Sequence, residues 1–151
     1  MSELIRAVRV VTAAHFDGVP DDSIVLDYEH RHRRRLQLNS ESGKSFLLDL
    51  KETVALLDSD VLQLDDGTSV AVKAKPERVA DISAADNQHL ARIAWHLGNR
   101  HLATQIFDGR LRIAYDHVIV DMLKGLGATV KVIDAPFHPE GGAYAHGHVD
   151  E

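Results

Sequence analysis

The sequence predicts an α+β protein of two domains with a flexible histidine-containing tail, and three observations carry that reading. From Leu4 to about Ala74, short apolar runs alternate with turn residues, as in an all-β, sandwich-like domain. After Lys75-Pro76 the pattern changes, because Leu90, Ile93, Ala94 and Leu97 recur at the i, i+3, i+4, i+7 spacing of one helical face. Beyond Pro136 too few apolar residues remain to offset the entropy of ordering the chain. The expected boundaries are therefore 1–75 for the β domain, 76–136 for a ferredoxin-like βαββαβ domain, and 137–151 for the tail.

In the first domain, strands are expected at Leu4–Val11, Ser23–Tyr28, Arg34–Leu38, Ser45–Asp49, Val61–Leu64 and Ser69–Val72. Asp65-Asp66-Gly67 marks a hairpin between the last two, since Asp and Gly tolerate the positive φ that such turns require. In the second domain, a strand over Glu77–Ile82 precedes a helix from about Ala84 to Leu97. Ser83 and Asp86 offer caps at its start, and Gly98-Asn99 offers a left-handed stop at its end. Strands at Thr104–Phe107 and Leu111–Tyr115 flank the turn Asp108-Gly109-Arg110. Asp116 then caps a second helix, His117 to Leu126, which Gly127 stops, and Ala128–Ile133 is the closing strand. The order β-α-β-β-α-β is the split βαβ arrangement, with both helices on one face of the sheet.

Composition narrows the function. Net charge is −6 with His neutral, and the halves 1–75 and 76–151 each sum to −3, so no positive footprint exists for nucleic acid or an anionic membrane. His30-Arg31-His32-Arg33-Arg34-Arg35 is the only basic run. It lacks interleaved aromatics for stacking and reads as the solvated side of a strand and its turn. No apolar run approaches the roughly 20 residues of a membrane span, and no secretory leader pattern opens the chain, so a soluble cytoplasmic protein is expected. Two small domains each bury a modest core, which favours oligomerisation. The zinc-protease, phosphate-loop and nucleophile-elbow motifs are all missing, and no catalytic group emerges.

Histidine is the chemically distinctive residue. Seven of the ten lie after residue 75, and there is no Cys. Imidazole without thiolate suits borderline divalent ions such as nickel, copper or zinc. His146-Gly147-His148 lets two imidazoles face one ion in an extended chain, with Asp150 as a possible oxygen donor. His101 falls just beyond a helix terminus, and His117 opens a helix whose dipole favours the neutral, ligand-competent ring. His89 is expected to be solvated and His96 packed, and neither is expected to bind metal. Any imidazole site should lose affinity as pH falls through about 6.5, where the free ring protonates.

Gly98-Asn99-Arg100-His101, Gln105-Ile106, Leu111-Arg112, Tyr115-Asp116-His117-Val118, Leu123, Gly127 and Phe137-x-Pro139-Glu140-x-Gly142-Ala143-Tyr144 together resemble the UreE family of urease accessory nickel chaperones. Phe46-Leu47-Leu48-Asp49-Leu50 and Asp60-Val61-Leu62-x-x-Asp65-x-Gly67 extend the resemblance to the N-terminal half. It implies a peptide-binding-like β domain, a homodimer built through the C-terminal domain, and no enzymatic activity. The implied role is delivery of Ni(II) to the urease maturation complex, through its GTPase and associated accessory proteins, with Zn(II) or Cu(II) able to occupy the same site. His101 matches the family's nickel ligand at the dimer interface, His146 and His148 its C-terminal ligands, and His117 an additional metal-binding position. The alternative is an interaction module of the maturation complex with adventitious metal binding. Two positions depart from the family: Ser59 stands where Gly is usual, and Tyr115 replaces a His found in some members, so a peripheral site there should be absent.

Overall fold

The computed structural model describes residues 4–141 and divides the chain into two compact units, 1–75 and 76–151. None of the helices described is long and apolar enough to cross a membrane.

The first unit contains β1 (Ile5–Val11), β2 (Asp22–Leu26), a one-turn helix α1 (Tyr28–Arg31), β3 (His32–Asn39), β4 (Ser45–Ala55), β5 (Val61–Leu64) and β6 (Ser69–Ala74). They form one sheet in the order β2-β6-β5-β1-β4-β3. The β1–β4 and β2–β6 pairs are parallel, and the others are antiparallel. Edge residues Ile24 and Leu26 on β2 and Leu38 on β3 share a buried cluster with Ala7, Leu62 and Leu64 from the middle strands. The sheet therefore folds over so that both edges close on a single core, which is the sandwich-like character expected. Polar bonds fasten the edges: the Asp22 carboxylate accepts from the Ser40 and Ser42 hydroxyls, and the Glu41 N–H donates to the Ser23 carbonyl. The two serine hydroxyls hold the Asp22 carboxyl down at about 2.

The basic run has a more structural role than its sequence suggested. Arg31 is buried, donating to the carbonyls of Leu26 and Leu56, and Arg34 donates to the Leu50 carbonyl. His30 pairs with Asp27, which also caps α1, and Arg33 pairs with Glu29. The turn α1 occupies the end of a predicted strand because Asp27 accepts the His30 N–H and so favours a helical start there. Before β2, the Ala13–Pro20 segment overhangs a cleft of about 360 Å³ lined by Phe16, Pro20, Ser59 and Val72, among others.

Ser59 has φ +75, the left-handed geometry that glycine adopts without a Cβ penalty. Its N–H donates to the Val72 carbonyl, while the Asp58 and Asp60 carboxylates accept from Ala74 and Leu57. The turn thus keeps its shape despite serine. Ser59→Gly should raise stability by up to about 1 kcal/mol, read as a higher urea midpoint at unchanged m-value.

The second unit runs β7 (Glu77–Ser83), α2 (Asn87–Asn99), β8 (Gln105–Phe107), β9 (Arg110–Ala114), α3 (His117–Gly125) and β10 (Thr129–Ala135). Its sheet order, β10-β7-β9-β8, is that of the ferredoxin-like fold. Ile93 and Leu97 from α2 and Ile119, Val120 and Leu123 from α3 bury against Ala80, Ile82, Leu111 and Ile113, so the helices cover one sheet face. Asp86 accepts the His89 N–H, and Asp116 accepts those of Val118 and Ile119, as expected of the two caps.

On the opposite face, Asp81, Arg112 and Gln105 lie abreast across β7, β9 and β8. Arg112 grips Asp81 through two bonds of 2.7 and 3.0 Å, and both side chains are largely buried. Packing continues past Pro136, contrary to the expectation that the tail begins at residue 137. Phe137 is only 3 % exposed, and backbone bonds hold the chain as far as Glu140. Proximity to a largely buried sheet face supplies the ordering energy that composition alone could not reveal.

Candidate metal centre

His101 owes its position to the way α2 ends. The helix continues two residues past Leu97, so Gly98 and Asn99 lie inside it and Arg100 is the C-cap. The left-handed residue is therefore His101, with φ +58, rather than Gly98 or Asn99. The Leu102 N–H donates to the Leu97 carbonyl at 3.1 Å and the His101 N–H to the Gly98 carbonyl at 2.9 Å, the paired bonds of a Schellman stop. Helix α3 ends the same way, with Ala128 N–H to Leu123 and Gly127 N–H to Lys124, but the left-handed position there is Gly127, φ +85. Two helices of one domain thus share a terminator, glycine in one and an exposed histidine in the other. A side chain in that geometry costs on the order of 1 kcal/mol, and such strain concentrates at functional sites.

Several other histidines make defined local contacts. His89 is not the solvated residue expected: it is partly buried, its Nε2 lies 2.7 Å from the Leu126 carbonyl, and its ring lies 3.3 Å from where a Cβ on Gly127 would sit. Donation from Nε2 to that carbonyl removes the nitrogen from metal chemistry. His96 packs edge-on against Trp95, centroids 5.2 Å apart, in agreement with its expected role. His15 Nδ1 lies 2.7 Å from the Thr12 hydroxyl, and His32 stacks at a tilt on Tyr28. His117 is exposed at the first position of α3, beside its cap Asp116, and Arg78 lies over the Tyr115 ring. His146 and His148 fall outside the described residues. Among the described residues, no three His, Cys, Asp or Glu side chains are gathered in a metal-holding set.

The Asp81–Arg112 pair on the sheet face away from the helices was not anticipated from the sequence. Its signal was available in Arg112 itself, a charged residue flanked by the buried Leu111 and Ile113. The Asp81 carboxyl is held below its usual range chiefly by the Arg112 hydrogen bonds, against the opposing effect of burial, with Arg110 adding its charge.

A folded-over β domain and a ferredoxin-like domain define a two-domain α+β protein. Residues 1–75 match the family model of the UreE urease accessory protein N-terminal domain, and residues 77–151 that of its C-terminal domain. The chain belongs to the UreE family of urease accessory proteins. It is similar to the urease accessory protein UreE of Rhodopseudomonas palustris strain HaA2, 52 % identical over 145 residues, covering 96 % of this chain and 67 % of the relative. The UreE of Bradyrhizobium sp. strain ORS 278 is 51 % identical over 148 residues, covering 96 % and 70 %. That of Rhizobium meliloti strain 1021 is 46 % identical over 146 residues, covering 96 % and 95 %.

Proposed function

We propose that this protein is a nickel metallochaperone of the cytoplasm, without catalytic activity of its own, that delivers Ni(II) to the urease maturation complex. The observation that carries the reading is His101, an exposed imidazole kept at a left-handed position where glycine would be less strained. One imidazole per chain leaves most coordination positions of an ion unfilled. Two copies related by a two-fold axis, with His146 and His148 as completing donors, give a site tight enough to carry nickel and open enough to release it. His117 is a further, peripheral donor.

Dimerisation through the second unit fits its exposed apolar side chains, Trp95 at 63 %, Val118 at 60 % and Ile106 at 59 %. The partners proposed are the nickel-loading GTPase of urease maturation and its associated accessory proteins. Imidazole donors also accept Zn(II) and Cu(II), so selectivity rests with supply and partner. Calorimetry of the full chain should show one tight Ni(II) per two chains, lost in His101→Ala. Unchanged binding in that variant would overturn the assignment. An interaction module of the complex with adventitious metal binding is the second reading, favoured by the cleft beneath Ala13–Pro20. Normal urease activation at limiting nickel in cells carrying His101→Ala would select it.

A further inference from the structure

Asp-Gly occurs three times in the sequence, at 17–18, 66–67 and 108–109. The pair is chemically distinctive, because glycine has no Cβ to keep its amide nitrogen away from the preceding carboxyl. The fold treats the three pairs differently. Asp66 accepts from the Thr68 N–H at 3.0 Å and the Thr68 hydroxyl at 2.6 Å, and the Lys44 ammonium pairs with its other oxygen. Lys44 and then Thr68 hold that carboxyl down at about 2, and the Gly67 N–H donates to the Leu64 carbonyl. Asp108-Gly109 is the two-residue turn of the β8–β9 hairpin, closed by the paired Phe107 and Arg110, whose side chains stack at 3.8 Å.

Asp17-Gly18 has none of these restraints. It lies in the connection from β1 to β2, which crosses the two strands between them, β5 and β6. That connection is fixed at its ends, where the Phe16 N–H donates to the Ala13 carbonyl and Asp21 and Ser69 exchange bonds of 2.9 to 3.1 Å. Between these anchors, no hydrogen bond or ion pair among the described residues engages residues 17–20. Asp17 and Gly18 are exposed, and Gly18 has φ +89 with open space where a Cβ would stand.

We propose that Asp17-Gly18 is a modification site, at which the folded chain converts to isoaspartate. The Gly18 nitrogen attacks Asp17 Cγ, and a carboxyl oxygen leaves as water, closing a five-membered succinimide. That oxygen departs with two protons, one from the carboxyl and one from the Gly18 nitrogen, so the Asp66 carboxyl, held ionised, is the poorer substrate as well as the more restrained. Water then adds to the imide. Breaking the bond between nitrogen and the former main-chain carbonyl leaves the chain running through Cγ, with a free α-carboxylate. One water is lost and one regained, so mass and charge are unchanged while the main chain gains a methylene. The methylene falls next to Phe16, which lines two clefts of about 360 Å³ each.

Trypsin separates the three pairs onto peptides 10–31, 52–73 and 101–110. In the test, the full chain is warmed at neutral pH beside a sample in urea, until all three peptides from urea accept methyl label from an isoaspartate methyltransferase and its labelled methyl donor. The native sample should carry about tenfold more label on peptide 10–31 than on either of the others, because the reaction there requires no prior opening of a turn. Asp17→Glu, which would have to close a six-membered ring, should lose the label from that peptide and leave the other two as they were. Peptide 10–31 also holds Asp21, Asp22 and Asp27, so label that survives in Asp17→Glu would place the reaction elsewhere and overturn the proposal. So would a native sample in which peptide 10–31 carries no more label than the others.

Discussion

His101→Gly is expected to abolish tight nickel binding while leaving the protein at least as stable as wild type. The second unit supplies the control for this, since Gly127 occupies the equivalent left-handed position at the end of α3. Glycine at position 101 removes a Cβ penalty of about 1–2 kcal/mol. Against this stands the extra backbone freedom glycine gives the unfolded chain, about 0.5–1 kcal/mol, so the balance is zero or slightly favourable. His101→Val should also lose the metal but unfold more easily, by about 1 kcal/mol or more, because a β-branched side chain tolerates left-handed geometry poorly. Urea unfolding of both variants without metal, alongside calorimetry with nickel, separates the imidazole's chemistry from its backbone cost. If His101→Gly were clearly less stable than wild type, the residue would be serving the fold.

Arg112→Met should destabilise the second unit by about 3 kcal/mol, because it leaves the Asp81 carboxylate largely buried with only the more exposed Arg110 as partner. It also deprives the Pro136 carbonyl of its donor. For a unit of this size that corresponds to a fall of roughly 10 °C or more in melting temperature. The pH dependence follows from the lowered Asp81 carboxyl. A carboxyl that titrates lower in the folded protein contributes its full stabilisation above its unfolded value, near 4, and loses it as pH falls through the folded value. Wild type and Arg112→Met should therefore differ most at neutral pH and converge below about pH 4. Urea midpoints measured from pH 7 to 2.5 check this, and a gap that stays constant over the range would remove the ion pair as its source.

The elements that were legible from sequence are those written in local signals. Asp86 and Asp116 cap the two helices, Asp108-Gly109 turns between β8 and β9, and the 3.6-residue recurrence of Leu90, Ile93, Ala94 and Leu97 marks the buried face of α2. Together these were enough for the ferredoxin-like order. Features set by distant partners were not legible. Parallel pairing of β1 with β4 and of β2 with β6 has no local signature. The packing of residues 136–140 stayed hidden because its partners, Arg112, Gln105 and Thr104, are distant in sequence.

His101 could be singled out from sequence as a candidate ligand, but its backbone geometry could not. Gly98 and Asn99 looked like the stop, yet α2 takes them in and passes the left-handed turn to the histidine. His89 reads as solvated in sequence because its acceptor, the Leu126 carbonyl, lies 37 positions away.

The parallel pairs of the first sheet also govern when it can form. β1 meets β4 only after a loop of about forty residues closes, Ile5 against Phe46, and β2 waits for β6, Asp22 against Val70. Such non-local closure is slow, because chain entropy is lost before the contacts that reward it are made. During synthesis, β2 has no hydrogen-bonded strand neighbour until β6 emerges, and β6 ends at Ala74, one residue before the first unit does. The β domain can therefore be completed only as translation crosses into the second domain, whose own first strand, β7, pairs only with strands still to be made.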